Sequence, residues 1–244
     1  MNSSKKSILN SNFTYLAAFV LPVIMMMALY YTRGIFPWGN ECYLRSDMYH
    51  QYAPFFSELW HKIRNGESLT YSWNIGMGTN FTSLFAYYLA SPSNWFVALF
   101  PQKYTIEIMN AFIILKIAGS SLSLTYYLTK HNNNKHVIAA IFGMFYGMSG
   151  FIAAYSWNIM WLDCVILIPL IMLGLERLVN ENRCIFYCIT LGLCIFTNYY
   201  IAIMVCLSVV IYYVVLMIAY NGIKSPMQYV KKFINFCVYS LLAG

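Results

Sequence analysis

Apolar residues gather in six runs, at about 13–32, 105–128, 136–155, 161–178, 184–200 and 201–220, and a seventh begins near Phe233. A helix needs about 20 residues to cross the hydrocarbon core. Each of the first six therefore predicts a membrane-spanning helix, with 184–200 at the short end, either tilting little or forming a tight hairpin with its successor through Thr197-Asn-Tyr-Tyr200. Residues 13–31 follow Lys5 and Lys6 as a signal peptide would, but no small-residue cleavage site comes after them. They predict an uncleaved signal-anchor span. The expected fold class is all-α, a polytopic transmembrane helical bundle forming one domain over residues 1–244. The last run stops before it could span, which predicts that the chain is a fragment of a longer protein.

The connection between the first two runs, residues 33–104, is far longer than most loops, and long loops tend to carry function. It contains helix signals of its own. Pro54 suits a first helical position, and Asn65-Gly66 suits an end. Between them Phe55, Phe56, Leu59, Trp60 and Ile63 share one side, while Ser57, Glu58, His61, Lys62 and Arg64 fall elsewhere. That pattern predicts an interfacial helix lying on the outer leaflet. A second start, Ser91-Pro92, leads into Asn94–Phe100. With aromatic residues crowding it throughout, the loop reads as a lid of juxtamembrane helices seated at the headgroups.

Composition agrees with a membrane protein. The chain is 60% hydrophobic and 9% charged, where soluble domains carry about 25% charged residues. With the N-terminus inside, the inner segments hold nine basic residues: Lys5, Lys6, Lys130, Lys135, Arg177, Arg183, Lys224, Lys231 and Lys232. Five lie outside, namely Arg33, Arg45, Lys62, Arg64 and Lys103, all on the long loop. This asymmetry predicts a cytoplasmic N-terminus. It also accounts for the net charge of +7 without a nucleic-acid partner. Six of the seven cysteines sit in or beside apolar runs, and Cys42 lies in a loop. Without paired spacings they read as small core residues.

Two aspartates are the leading candidates for chemistry. Asp47, just beyond the first span, could serve as general base toward an acceptor hydroxyl, with Arg45 and His50 beside it to tune it or bind phosphate. It could equally be a solvated turn residue. Asp163, in Trp157-Asn-Ile-Met-Trp-Leu-Asp163, falls at the same side of the membrane, either as a functional acid or as a helix-start charge. Lys116 lies midway along the second span and would meet a phosphate, pair with an acid or snorkel, with Glu107 nearer the end of the same span. Asn74 and Asn198 could bond a sugar, though structural roles are the stronger reading. Gly76-Met-Gly78 lacks the strand, third glycine and lysine of a nucleotide loop and suits a tight turn. No HExxH, GxSxG or metal-ligand cluster occurs, so no metal site is expected.

Several strings together resemble the YfhO family of bacterial membrane proteins. They are Ser46-Asp-Met-Tyr-His-Gln-Tyr-Ala-Pro-Phe-Phe56, Trp73-Asn-Ile-Gly-Met-Gly-Thr-Asn80, Tyr88-Leu-Ala-Ser-Pro-Ser-Asn-Trp95 and Trp161-Leu-Asp163. The resemblance implies a GT-C-like fold and a glycosyltransferase of the hexosyltransferase class in the cell membrane. Its sugar would come from an undecaprenyl-phosphate carrier and go to an extracytoplasmic cell-envelope polymer such as lipoteichoic acid. Asp47 then matches the essential acid of the first external loop, and the active site faces outside. Arg45, His50 or Lys116 would stabilise the carrier phosphate, and Asp163 would position the acceptor or a basic partner. The partners are thus a polyprenyl-phosphate-linked sugar, the polymer and the lipid bilayer. No cofactor is required, and a divalent cation between Asp47 and phosphate is left open. Family members are far longer than this chain. The alternative is a transporter or flippase for a lipid-linked or small substrate, and a third reading is a non-catalytic scaffold.

Overall fold

The computed structural model describes residues 2–133, 137–219 and 225–244, with side chains from Asn12 onward. Lys135 and Lys224 lie outside the described residues, as do the side chains of Lys5 and Lys6. Ten α-helices follow in order among the described residues. They are α1 (Asn2–Thr32), α2 (Ala53–Asn65), α3 (Phe81–Leu84), α4 (Thr105–His131), α5 (Val137–Gly147), α6 (Gly150–Tyr155), α7 (Leu162–Glu181), α8 (Ile185–Thr197), α9 (Tyr199–Ala219) and α10 (Pro226–Ala243). The only described strands are β1 (Tyr71–Ser72) and β2 (Thr79–Asn80), an antiparallel pair inside the long loop.

Among the described residues five segments are long and apolar enough to cross a membrane: Asn12–Thr32, Gln102–His131, Val137–Tyr155, Ile159–Glu181 and Tyr199–Ala219. The fifth expected span is the 13-residue α8. At about 1.5 Å per residue it covers roughly 20 Å, well short of the ~30 Å hydrocarbon core. One side of α8 buries Tyr187, Leu191 and Cys194 against α7 and α10, while Ile185, Ile189 and Phe196 are exposed on the other, and the helix leads from Arg183 to Asn198 beside the long loop. The expected hairpin with α9 does form, and Asn198 Oδ1 accepts the Ile201 N–H at 2.9 Å within it. The seventh run starts earlier than expected, at Pro226. The third is broken between α5 and α6 at Met148-Ser149.

α4 forms the centre, packed by α1, α5 and α7. Small residues permit the closest of these approaches. Gly143 and Gly147, four apart on α5, press onto α4, where a Cβ at Gly143 would collide with Thr125 Oγ1 and the Ser121 carbonyl. Close backbone contact through small residues is how helices associate where lipid supplies no hydrophobic drive. Gly143→Leu should therefore part α4 from α5 and cost about 1–3 kcal/mol, seen as a lower unfolding temperature of the detergent-purified protein. At the far end of α4, Glu176 Oε1 accepts from Tyr127 at 2.8 Å and lies 2.9 Å from His131 Nδ1, tying α7 to α4.

The loop helix α2 forms where its signals placed it, with Pro54 in the first turn and Gly66 closing it at φ 66°. Its position differs from the expectation. Phe55, Phe56 and Leu59 are buried in a core shared with Val97, Ile108 and Met109, so the apolar side rests on protein. Glu58 and Lys62, which fall off the apolar side, are buried too, with Nζ 3.6 Å from Oε1. Ser72 and Asn74 donate to the Glu58 carboxylate at 2.6 and 3.0 Å, which satisfies a charge that could not be buried alone. The glycines do serve a tight turn, Gly76 at φ 60° and Gly78 at φ 102° between the two strands. Lid and bundle are thus packed as one body around the same core.

Candidate functional site

Ser46 takes the left-handed backbone at φ 48°, which is costly for a residue with a Cβ and tends to mark functional sites. The chain then winds through a π-helical turn, Met48–Tyr52, directly into α2. Such turns also concentrate at functional positions. Met48 and Tyr52 point inward and are buried, which leaves Asp47, Tyr49 and His50 exposed on the opposite side. Asp47 makes no hydrogen bond or ion pair with any described residue. Burial raises the phenols of Tyr52 and Tyr88, and the Asp47 carboxylate adds to both shifts, so all three share one neighbourhood. His50 stacks edge-on against Tyr49, with centroids 5.3 Å apart.

Beside this turn lies a cavity of about 740 Å³ between α1, the residues leading to Ser46, α4, α5 and α6. Met26, Leu29, Ile117, Met148 and Ile152 give it an apolar floor, and Arg33, Glu41, Arg45 and Ser46 line it toward Asp47. Arg33 and Arg45 are exposed, and neither guanidinium has a carboxylate or hydrogen-bond partner among the described residues. Two unpaired cations against the one Glu41 carboxylate leave the rim net positive over an apolar floor, which suits a ligand with an anionic head and a hydrocarbon tail. Arg45 was singled out from the sequence. Arg33 was counted only as loop charge, and its signal was its place just past the end of the first span.

Lys116 and Asp163 are brought together, not to the cavity. Nζ lies 2.6 Å from Oδ2 and donates to the Ile159 carbonyl at 3.3 Å, with the two side chains 5% and 14% exposed. The pair joins α4 to the first turn of α7 and steadies the short Ile159–Trp161 turn before it. Asn74 is engaged by Glu58 as above. Asn198 is fully buried, donating to the Tyr87 carbonyl at 3.0 Å. Glu107 sits in the first turn of α4, one carboxylate oxygen buried and unpartnered. Among the described residues no three His, Cys, Asp or Glu side chains gather to hold a metal ion.

From the cavity wall a chain of aromatic rings runs past Asp47. Trp157 stacks on Tyr52 at 6.3 Å, Tyr52 meets Tyr88 at 5.4 Å, and Tyr88 meets Tyr87 at 4.6 Å. Tyr87 continues to Tyr200 at 6.4 Å, Tyr200 to Trp161 at 6.0 Å and Trp161 to Tyr155 at 5.9 Å. The two ends of the path, Tyr155 and Trp157, are two residues apart in sequence.

Residues 17–244 match the family model described as bacterial membrane protein YfhO. The chain belongs to this family. The match takes in the whole loop, the cavity and both aspartates, and with five candidate spans this YfhO-family chain is a multi-pass membrane protein. No curated protein and no solved structure matches it.

Proposed function

We propose that this YfhO-family protein is a GT-C type glycosyltransferase that moves a sugar from an undecaprenyl-phosphate carrier to an extracytoplasmic envelope polymer such as lipoteichoic acid. One observation carries this reading. Asp47, an exposed and unpaired carboxylate, directly follows Ser46 in the lining of a cavity that two unpaired guanidiniums, Arg33 and Arg45, share with Glu41. A carrier-linked sugar offers the matching parts: a polyprenyl tail for the floor, a phosphodiester for Arg33 and Arg45, and a sugar projecting toward Asp47. The described basic residues at the opposite end (Lys130, Arg177, Arg183, Lys231 and Lys232) support a cytoplasmic N-terminus and an outward-facing Asp47.

In the reaction the acceptor oxygen attacks the anomeric carbon while its proton passes to the Asp47 carboxylate. The bond from that carbon to the phosphate oxygen breaks, and its electron pair leaves with the carrier. The phosphate gains one negative charge in doing so, and fixed cations favour that charge in the transition state. His50 is placed to hold the acceptor beside Asp47. Lys116 is occupied by Asp163 and takes no part in phosphate binding. The pair acts instead by holding the Ile159–Trp161 turn in place. Vesicles containing purified protein and carrier-linked sugar test the phosphate role. Arg45→Gln and Arg33→Gln should each lower kcat/KM about tenfold, the worth of one charge-assisted bond. Unchanged kinetics in both variants would remove the carrier from this cavity.

A further inference from the structure

Among the described residues Glu41 is the one carboxylate lining the cavity, and the transfer reading gives it no task. It is exposed, and its carboxylate forms no ion pair or hydrogen bond with any described residue, although Arg33 and Arg45 share the lining. Exposed charges pair weakly, so a missing salt bridge alone says little. The placement says more. Ile35 and Leu44 are buried in the core, while Tyr43 stacks on Tyr30 at 5.5 Å and hydrogen-bonds Ser156 Oγ at 2.6 Å. The Glu41 N–H donates to the Gly34 carbonyl at 3.0 Å, and the Glu41 carbonyl accepts from the Phe36 N–H at 3.3 Å. These bonds fix Glu41 across the neck of the loop from Arg33. Gly39 permits the closure, since a Cβ there would strike the Gly34 carbonyl. Residues 33–46 are thus a braced loop that sets two positive charges and one negative charge into one rim.

A pocket for an anion alone gains nothing from that carboxylate, which repels the phosphate that the guanidiniums attract. A repulsive group set against one ligand type is a device of specificity for another. We infer that the cavity takes a lipid whose head carries both a phosphodiester and, a few atoms away, an ammonium group, and that Glu41 is the residue that selects the ammonium. The Arg33 and Arg45 guanidiniums donate to the phosphate oxygens, the ammonium donates to the Glu41 carboxylate, and the hydrocarbon lies on the apolar floor. Every unpaired charge of the rim then has a partner on one ligand. Two sources supply this chemistry: an aminophospholipid of the bilayer, or an amino sugar on the polyprenyl phosphate. The second source rests on the transfer reading, whereas the headgroup preference is measured without turnover.

The test is lipid binding by the purified full chain, followed by native mass spectrometry, with phosphatidylethanolamine and its N-acetyl derivative as probes. Acetylation removes the positive charge and leaves the phosphodiester and the tails. The free amine should bind about tenfold tighter, the worth of one charge-assisted bond. Glu41→Gln should erase that preference by weakening the amine lipid alone, and its undiminished hold on the acetylated lipid shows that the cavity still forms. Arg45→Gln should weaken both lipids, and Glu181→Gln, at the far end of α7, neither. Equal binding of the two lipids by the wild type, or a preference that survives Glu41→Gln, would overturn the proposal. Competition with carrier lipids separates the two sources. Tighter displacement of the phospholipid by carrier-linked glucosamine than by carrier-linked N-acetylglucosamine assigns the ammonium to the transferred sugar. Displacement by neither leaves the aminophospholipid site standing and takes the carrier out of this cavity. Carrier binding by a protein with no headgroup preference would do the reverse.

Discussion

Asp47→Asn should reduce sugar transfer by about 10²–10⁴-fold while the protein folds and inserts normally. The substitution preserves size and removes only the capacity to take a proton. Little structural loss is expected, because Asp47 is exposed and bonds to no described residue, and because Met48 and Tyr52 anchor the π-helical turn independently of it. Carrier binding should persist, since the proposal gives the phosphate to Arg33 and Arg45 and not to Asp47. The signature is thus a fall in kcat at nearly constant KM, with undecorated polymer accumulating in cells that carry the variant at wild-type abundance. A turn residue of purely structural importance would show normal kcat in whatever protein survived. Transport of an intact lipid-linked substrate would be impaired only partly.

Lys116→Met should lower stability by about 3–5 kcal/mol, enough to unfold much of the population, because it leaves Asp163 charged and unpaired in the bundle. The Ile159 carbonyl loses its donor in the same substitution. Replacing both partners, Lys116→Met with Asp163→Leu, should recover most of that loss, since an apolar pair of similar volume commonly matches a buried ion pair. Thermal unfolding in detergent across the single and double variants measures the coupling. Additive losses would mean that the two charges do not depend on each other. If the double variant is stable but slow, the pair also holds the Ile159–Trp161 turn in its working position.

Much of this architecture was legible along the chain. Long apolar runs mark α1, α4, α7 and α9, because lipid and the bundle interior both demand them. Pro54 and Gly66 bracket α2 correctly, since cap chemistry is local. What failed to show depends on partners distant in sequence. Hydropathy marked the 184–200 run but not that α8 within it is only 13 residues long, since the helix ends where its packing does. Averaging over 136–155 hid the break at Met148-Ser149. Glu58 and Lys62 are four apart and so could face each other, but their burial depends on Ser72 and Asn74 arriving from the strand pair.

The site divides the same way. Asp47 stood out by residue type and position, and Lys116 and Asp163 each stood out as charges in apolar surroundings. That the last two answer each other, 47 residues apart, is a fact of packing. Arg33 went unremarked because one arginine after a span is ordinary at an interface; only the cavity gives it a counterpart in Arg45. The Gly143-x-x-x-Gly147 spacing was readable as a helix-packing face. The chain of aromatic rings draws on the loop, the α6–α7 turn and α9, and no local pattern announces it.

The most direct test of the account places the purified protein in vesicles with undecaprenyl-phosphate-linked sugar and acceptor polymer, and follows the labelled sugar and the carrier together. The account predicts that label appears on the polymer and that free undecaprenyl phosphate is released in equal amount. Label that crosses the bilayer still joined to its carrier, with none on the polymer, would contradict it.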